Sequence, residues 1–200
     1  MPPSALNDQA TTATPGFPFV TDRYRVRLAA NEADLRAAQR LRFEVFNKEL
    51  NEGLASAWET GCDEDRFDAA CAHLLVEENT TGQIVGTYRM LPGPVAASSG
   101  LGYYSAQEFD FVPFEPFRNQ ILELGRACVH QDHRNQTVVG ILWRGISIYA
   151  RSRGARYLIG CSSLTSQDPV EGAAMYHQLE AKYLAPVAFR TRPTPAYACP

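Results

Sequence analysis

Residues 23–28 alternate strictly: Tyr24, Val26 and Leu28 fall on one side and three arginines on the other, the period-two pattern of a half-buried strand. Ahead of it, residues 1–22 hold Pro2, Pro3, Pro15, Gly16 and Pro18 with little periodicity. They are expected to form a flexible tail before a single domain over 23–200. Asn31 can cap a helix with Asp34 near its third position, and Leu35, Ala38, Leu41, Val45 and Phe46 recur at helical spacing to about Leu50. An acidic stretch follows as loop or short helix. Residues 72–76 and 83–91 read as strands joined by a hairpin-type connection. Pro, Gly and Ser over 92–102 predict a loop, and an aromatic segment from Tyr103 to Phe117 comes next. Ile121–Val129 reads as a buried strand, 137–153 as an amphipathic helix and 156–164 as another strand. Asp168 and Pro169 open a last helix to about Tyr183, a cap followed by proline in the first turn. The order β, α, β, β, β, α, β, α holds a hairpin and then a right-handed β-α-β crossover. It predicts an α/β (α+β) fold, a mixed sheet with helices on both faces.

Composition narrows the class. The chain has 200 residues, 45% apolar and 20% charged, the balance of an ordinary globule large enough to bury a core without metal or disulfides. No apolar run approaches the roughly 20 residues of a spanning helix; the best candidate, 138–150, is broken by Gly140, Arg144 and Gly145. Residues 1–20 carry no Lys or Arg, so no basic region leads an apolar one as in a signal peptide. Five cysteines (62, 71, 128, 161 and 199) make an odd count without framework spacing, which suits reduced thiols and a cytoplasmic setting. A net charge of −3 gives no reason to expect nucleic acid as a partner. The distribution is uneven: residues 59–68 hold five acids against Arg66, and residues 118–160 hold seven arginines against Glu123 and Asp132. Either these are two solvated faces, or one region holds an amine and the other an acidic partner.

The chemistry-bearing residues sit at strand ends. Arg89 lies on a strand that otherwise reads as buried, and Glu123 and Arg126 lie three apart on another. Period two would send that pair to opposite faces; a bulge at Gly125 would bring them together and free a backbone N–H for an oxyanion. A buried ion pair steadying the sheet is the other reading, although three buried charges without a use are costly. No metal is expected, because Cys62, Cys71 and His73, or His130 and His133, lack a four-ligand spacing. Cys128 and Cys161 read as small core residues, and Ser162, Ser163 and Ser166 show no nucleophile elbow. The aromatic run over 103–117 reads equally as core or as the lining of an acyl tunnel.

A set of motifs then carries a resemblance. Arg42-Phe43-Glu44-Val45-Phe46, Asp63-Glu64-Asp65-Arg66-Phe67-Asp68, His73 to Val76, Gly86 to Arg89, Tyr104 to Phe109, Leu122 to Arg126, Leu142-Trp143 and Gly160 to Ser163 occur in order. Together the chain resembles the N-acyl amino acid synthase group of the Gcn5-related N-acetyltransferase (GNAT) superfamily. That group includes long-chain N-acyltyrosine synthases and the hemolysin-like ornithine N-acyltransferases, and is more distantly similar to acyl-homoserine lactone synthases. The resemblance implies a GNAT-like sheet splayed between two central strands, here 121–129 and 156–164. It also implies transfer of a fatty acyl group from an acyl carrier protein thioester to the α-amine of an amino acid, without a bound cofactor. Carried over by position, Glu123, Asp65 and Arg126 become the catalytic candidates, and Asp63, Asp68, Arg89, Arg42 and Tyr104 the acceptor-binding ones. Glu123 is the first candidate for base or water-positioner, since an ammonium must lose a proton before it attacks. An arginine can hold the acceptor's carboxylate in a bidentate fork.

On the donor side the turn before the helix at 137 lacks the glycines that usually approach a pyrophosphate. That favours the single phosphodiester of a phosphopantetheine arm, held by Val129, His130, Arg134, Asn135, Gln136 and Thr137. Arg144 and Arg151 on the helix would then meet an acidic carrier protein. Tyrosine is placed slightly ahead of ornithine as acceptor, and any membrane contact is peripheral, through a lipid product. The rivals are an acyl-homoserine lactone synthase using S-adenosylmethionine and a non-catalytic module that binds acyl groups or the carrier protein.

Overall fold

The computed structural model describes residues 14–164, 166 and 168–198. Six strands lie side by side in chain order: β1 (Phe19–Val20), β2 (Tyr24–Leu28), β3 (Ala72–Glu78), β4 (Ile84–Pro92), β5 (Ile121–Val129) and β6 (Tyr157–Ile159). Each neighbouring pair is antiparallel except β5 and β6, which run parallel. A parallel pair needs a crossover, and α2 (Gln136–Ser152) supplies it. The other long helices are α1 (Glu32–Arg42) and α3 (Pro169–Tyr183).

Two neighbours on β3 separate the layers. Leu74 and Leu75 are both fully buried, and successive strand residues point to opposite faces. Leu74 packs with Val138, Ile141, Ile146 and Tyr149 of α2. Leu75 packs with Ala29 and with Ala38 of α1. The helices therefore cover opposite faces, and each such leucine contributes about 2 kcal/mol of burial. Gly145 lets α2 come this close, because a Cβ there would lie 2.8 Å from Leu74 Cδ2.

Local signals in the sequence appear as expected at the helix starts. Asn31 accepts from the Asp34 N–H at 2.9 Å, and Asp168 accepts from the Val170 N–H at 2.8 Å. Elsewhere the structure differs. The stretch expected as tail contains β1, whose Phe19 pairs with Val26. Gly93–Ser98 is helical where a loop was expected, with proline in its first turn, a position that needs no N–H. The first helix does not stay α-helical to Leu50; Phe43–Glu49 forms a π-helical segment.

The strand expected over 156–164 shrinks to three residues, at the end of the described sheet and not in its centre. It pairs with β5 only over Ile121, Leu122 and Glu123. A Cβ on Gly160 would stand 2.6 Å from the Leu124 carbonyl oxygen. Past that contact the chain leaves β5, and a splay opens between 124–129 and 160–164.

The aromatic run resolves as core. Tyr103 and Phe111 are buried with Leu91, Ile121 and Ala96, with Phe114 and Phe117 packed against them. Of this segment's aromatics, Tyr104 lines a cavity at the splay, whereas Phe109, Phe111, Phe114 and Phe117 line none of the three cavities there. Among the described residues no helix is long and apolar enough to cross a membrane.

Candidate functional site

Four charged side chains interlock where α1 meets β4 and β5. Arg42 forks onto Asp68, with Nη1 donating to Oδ1 at 3.1 Å and Nη2 to Oδ2 at 2.5 Å. Its Nε donates to the Asp63 carbonyl at 3.1 Å. Arg89 Nη1 donates to Asp65 Oδ1 at 2.6 Å and to Asp68 Oδ1 at 3.0 Å. Gln39 and the Asp65 N–H also donate to Asp68, so this carboxylate organises the whole acidic loop. Burial alone would raise the Asp68 carboxyl, yet the Arg42 and Arg89 guanidiniums hold it well below the usual carboxylate range. Burial pushes the neighbouring His73 imidazole down, against the pull of its contact with the Asp68 carbonyl at 3.0 Å.

Arg42, Asp63 and Asp68 are buried to within 3% and line none of the three cavities at this site. Arg42 and Asp68 are thus paired with each other and with Arg89, whereas both Asp63 carboxylate oxygens lack a hydrogen-bond partner and Oδ1 only lies 3.2 Å from Arg42 Nε. Arg89 faces the cavity but is held by two carboxylates.

The bulge exists, one residue later than expected. Opposite β4, Thr87 pairs with Cys128 and Arg89 with Gly125, so Tyr88 faces both Arg126 and Ala127. The left-handed residue is Arg126, at φ 47°, and not Gly125. A side chain held in that region is strained by about 1–3 kcal/mol, a cost that clusters at functional sites. The twist turns Arg126 away from Glu123 and towards Asp63, with Nε 3.5 Å from Oδ1. Its guanidinium carbon lies 5.6 Å from the Phe46 ring centre, on the π-helical segment.

Three cavities adjoin at this point. An inner pocket of about 140 Å³ is lined by Arg89, Tyr104, Glu108, Glu123, Arg126 and Cys161, among others. It shares Leu124, Gly125, Arg126, Cys161 and Ser163 with a cleft of about 850 Å³ in the splay. That cleft shares Phe46, Tyr88, Ala127 and Trp143 with a groove of about 820 Å³ running to the start of α2. Arg126 sits at the junction of pocket and cleft.

Glu123 does not pair with Arg126. It accepts from the Tyr104 N–H at 2.8 Å, the Ser105 N–H at 2.7 Å and the Ser105 hydroxyl at 2.7 Å. These contacts hold the start of the short helical turn Ser105–Glu108. A carboxylate has roughly four acceptor positions, so one remains for a water or an ammonium. Asp65, the second candidate base, is taken by Arg89 and by the Phe67 N–H at 2.8 Å.

The turn that Glu123 holds carries Tyr104 and Glu108 into the inner pocket. Tyr104 was expected there; Glu108 was not singled out, because a four-residue turn has no period to mark its faces. Burial, with Glu108 beside it, pushes the Tyr104 hydroxyl up to about 12. Burial also pushes the Cys161 thiol up to about 12, which leaves it protonated and a poor nucleophile. Cys161→Ala is therefore expected to keep turnover within about threefold of wild type, read as steady-state rate. A loss of about a thousandfold would instead mark a covalent intermediate on this sulfur.

Of the residues expected on the donor side, Val129, Arg134, Asn135 and Gln136 line the groove. Their polar groups are partly committed. Arg134 donates to the Val129 carbonyl at 3.0 Å and forks onto Glu49, and Asn135 caps α2 through the Val138 N–H at 3.0 Å. His130 and Thr137 do not line it, and His130 Nδ1 accepts from the Asp132 N–H at 3.3 Å. Arg144 is turned to the far side of α2, its guanidinium 4.4 Å over the Phe19 ring. Arg151 is exposed without an ion pair among the described residues.

A family model for the GNAT acetyltransferase domain matches residues 41–144. The L-ornithine N(alpha)-acyltransferase of Brucella abortus is 36% identical over 178 residues, covering 82% of this chain and 62% of that protein. Its counterpart in Agrobacterium fabrum is 40% identical over 152 residues, covering 72% and 51%. The chain thus spans between half and two thirds of the length of these curated relatives. Among solved structures, the CoA-dependent acyl-homoserine lactone synthase MesI superposes with a TM-score of 0.51 at 19% identity, over 78% of this chain and 75% of that one, a likeness of fold. By motif, sheet and match over half its length, the chain belongs to the GNAT acetyltransferase family.

Proposed function

We propose that this protein transfers a long-chain acyl group from a phosphopantetheine thioester to the α-amine of an amino acid. The observation that carries the reading is the continuous cavity with Arg126 at its junction: a long groove and splay on one side, a small charged pocket on the other. A thioester arm fits the groove between Tyr88, Val139 and Trp143, its phosphate near the first N–H groups of α2. Arg126 holds the acceptor's carboxylate, which leaves the amine facing the splay. The last acceptor position of Glu123 takes the ammonium proton, directly or through a water. The amine then attacks the thioester carbon, and the bulged strand supplies a backbone N–H to the oxyanion; as the C–S bond breaks, the second amine proton passes to the sulfur and the thiol leaves.

An acyl carrier protein is the proposed donor partner, because the turn before α2 has no glycines for a pyrophosphate and Arg151 is open to an acidic surface. Ornithine, the acceptor in its relatives' names, moves ahead of the tyrosine weighed from the sequence. The test is mass spectrometry after incubation with long-chain acyl carrier protein, or the matching acyl-coenzyme A, and a mixture of ornithine and tyrosine. N-acylornithine from the carrier-protein reaction is expected. Intact thioester with no N-acyl product from either donor would overturn the proposal.

A further inference from the structure

The inner pocket contains four charged groups, and two are already spent. Arg89 is held by Asp65 and Asp68, and Glu123 by the three donors of the Tyr104–Ser105 turn. Arg126 retains guanidinium nitrogens beyond its long contact to Asp63. Glu108 forms no ion pair among the described residues; its neighbours are the neutral Tyr104 hydroxyl and Cys161 thiol. Glu108 therefore has neutral hydrogen-bonding neighbours but no opposite charge, and Arg126 has only its long contact to Asp63, so one anion and one cation remain for a charged ligand.

Their places differ. Arg126 lines both the inner pocket and the splay cleft, whereas Glu108 lines the inner pocket alone. A ligand whose α-amine reaches the splay has its carboxylate at Arg126, and its side chain points inward to Glu108. The backbone at Glu108 is held from two directions, by the Glu123 contacts at the start of the turn and by the Thr194 N–H, which donates to the Glu108 carbonyl at 2.8 Å.

We infer that Glu108 is a specificity-determining residue, whose carboxylate pairs with a cationic group at the end of the acceptor's side chain. This rests on the acyl-transfer reading and names the residue that selects among acceptors. A half-buried carboxylate with only neutral partners keeps its charge unbalanced, and a ligand ammonium supplies a charge-assisted hydrogen bond that they do not. A neutral side chain of equal length leaves it unpaired, and sites built to pair a polar group discriminate strongly against such analogues.

The experiment offers equimolar L-ornithine and L-norvaline, which share a carbon skeleton and differ in the terminal amine, and reads the ratio of N-acyl products by mass. Wild type is expected to favour ornithine by at least about tenfold, the scale of one charge-assisted bond. Glu108→Gln is expected to lower that ratio by about tenfold or more, while Glu108→Asp, which keeps the charge, retains part of it. A purely structural role would reduce both products together and leave the ratio unmoved. Product formation with an unchanged ratio in Glu108→Gln, or no preference in wild type, would overturn the inference while leaving acyl transfer intact. Absence of any product would overturn acyl transfer, and this assignment with it.

Discussion

Asp68→Asn is expected to destabilise the fold by about 3 kcal/mol, measured by urea unfolding. The substitution is nearly isosteric but removes the anion shared by Arg42 and Arg89, and both guanidiniums are buried to within 6%. It also turns an amide N–H₂ towards their donors, leaving buried hydrogens without acceptors. The loss stays near the lower end for a broken buried pair because Arg42 keeps Asp63 and Arg89 keeps Asp65. A change below about 1 kcal/mol would mean that these charges are solvated and do not frame the site.

The same cluster sets the acid limb of stability. Asp68 is held below its ordinary carboxyl range, so its contribution is fully present above the unfolded value near 4 and is lost as pH falls through the folded value. His73 is held neutral by burial, so its contribution is present above about pH 6.5 and declines as the unfolded chain takes up a proton below it. Stability is therefore expected to begin falling below about pH 6.5 and to fall faster below about pH 4. In Asp68→Asn the second decline is expected to flatten.

Arg126 gives the largest expected effect on activity. Arg126→Met is expected to lower kcat/KM for the amino acid about a hundredfold, mainly through KM, since a lost charged hydrogen bond is worth roughly 1.5–3 kcal/mol. Arg126→Lys should recover only part, because a point charge does not reproduce the fork. Arg126→Gly separates the two roles of the position. Glycine is at ease at φ 47°, so stability is expected to change by less than about 1 kcal/mol while activity falls as in Arg126→Met. Loss of fold in Arg126→Gly with full activity in Arg126→Met would mark a structural residue and not a binding one.

The legible parts of the sequence were those in which local chemistry decides. The bounds of β5 match the expected 121–129, with apolar residues at both ends of the strand, and the Asn31 and Asp168 caps follow from side chains beside the N–H groups they accept. The mixed sheet with a crossover in its second half follows from the order of periods. What depends on contacts between distant segments was not legible. A bulge reads naturally onto glycine, yet Gly125 stays in the ordinary region and Arg126 takes the left-handed one, held between Asp63 and the Phe46 ring. Residues 160–164 have a strand's composition but leave the sheet beyond the Gly160 contact with Leu124. Arg42, Asp68 and Arg89, expected on the acceptor side, lie together in one buried ion-paired cluster, a pairing across three distant segments that no local pattern marks. Glu108 reaches the pocket through the turn that Glu123 holds from a distant strand, a contact no local pattern marks.

The most direct test of the account is the initial-rate pattern with both substrates varied. If donor arm and amino acid meet at Arg126 from opposite sides, both must be bound before the acyl group moves, and double-reciprocal plots intersect. Parallel lines, together with an acylated enzyme detected by mass when the thioester is supplied alone, would contradict direct transfer and require a covalent intermediate that this cleft is not built to form.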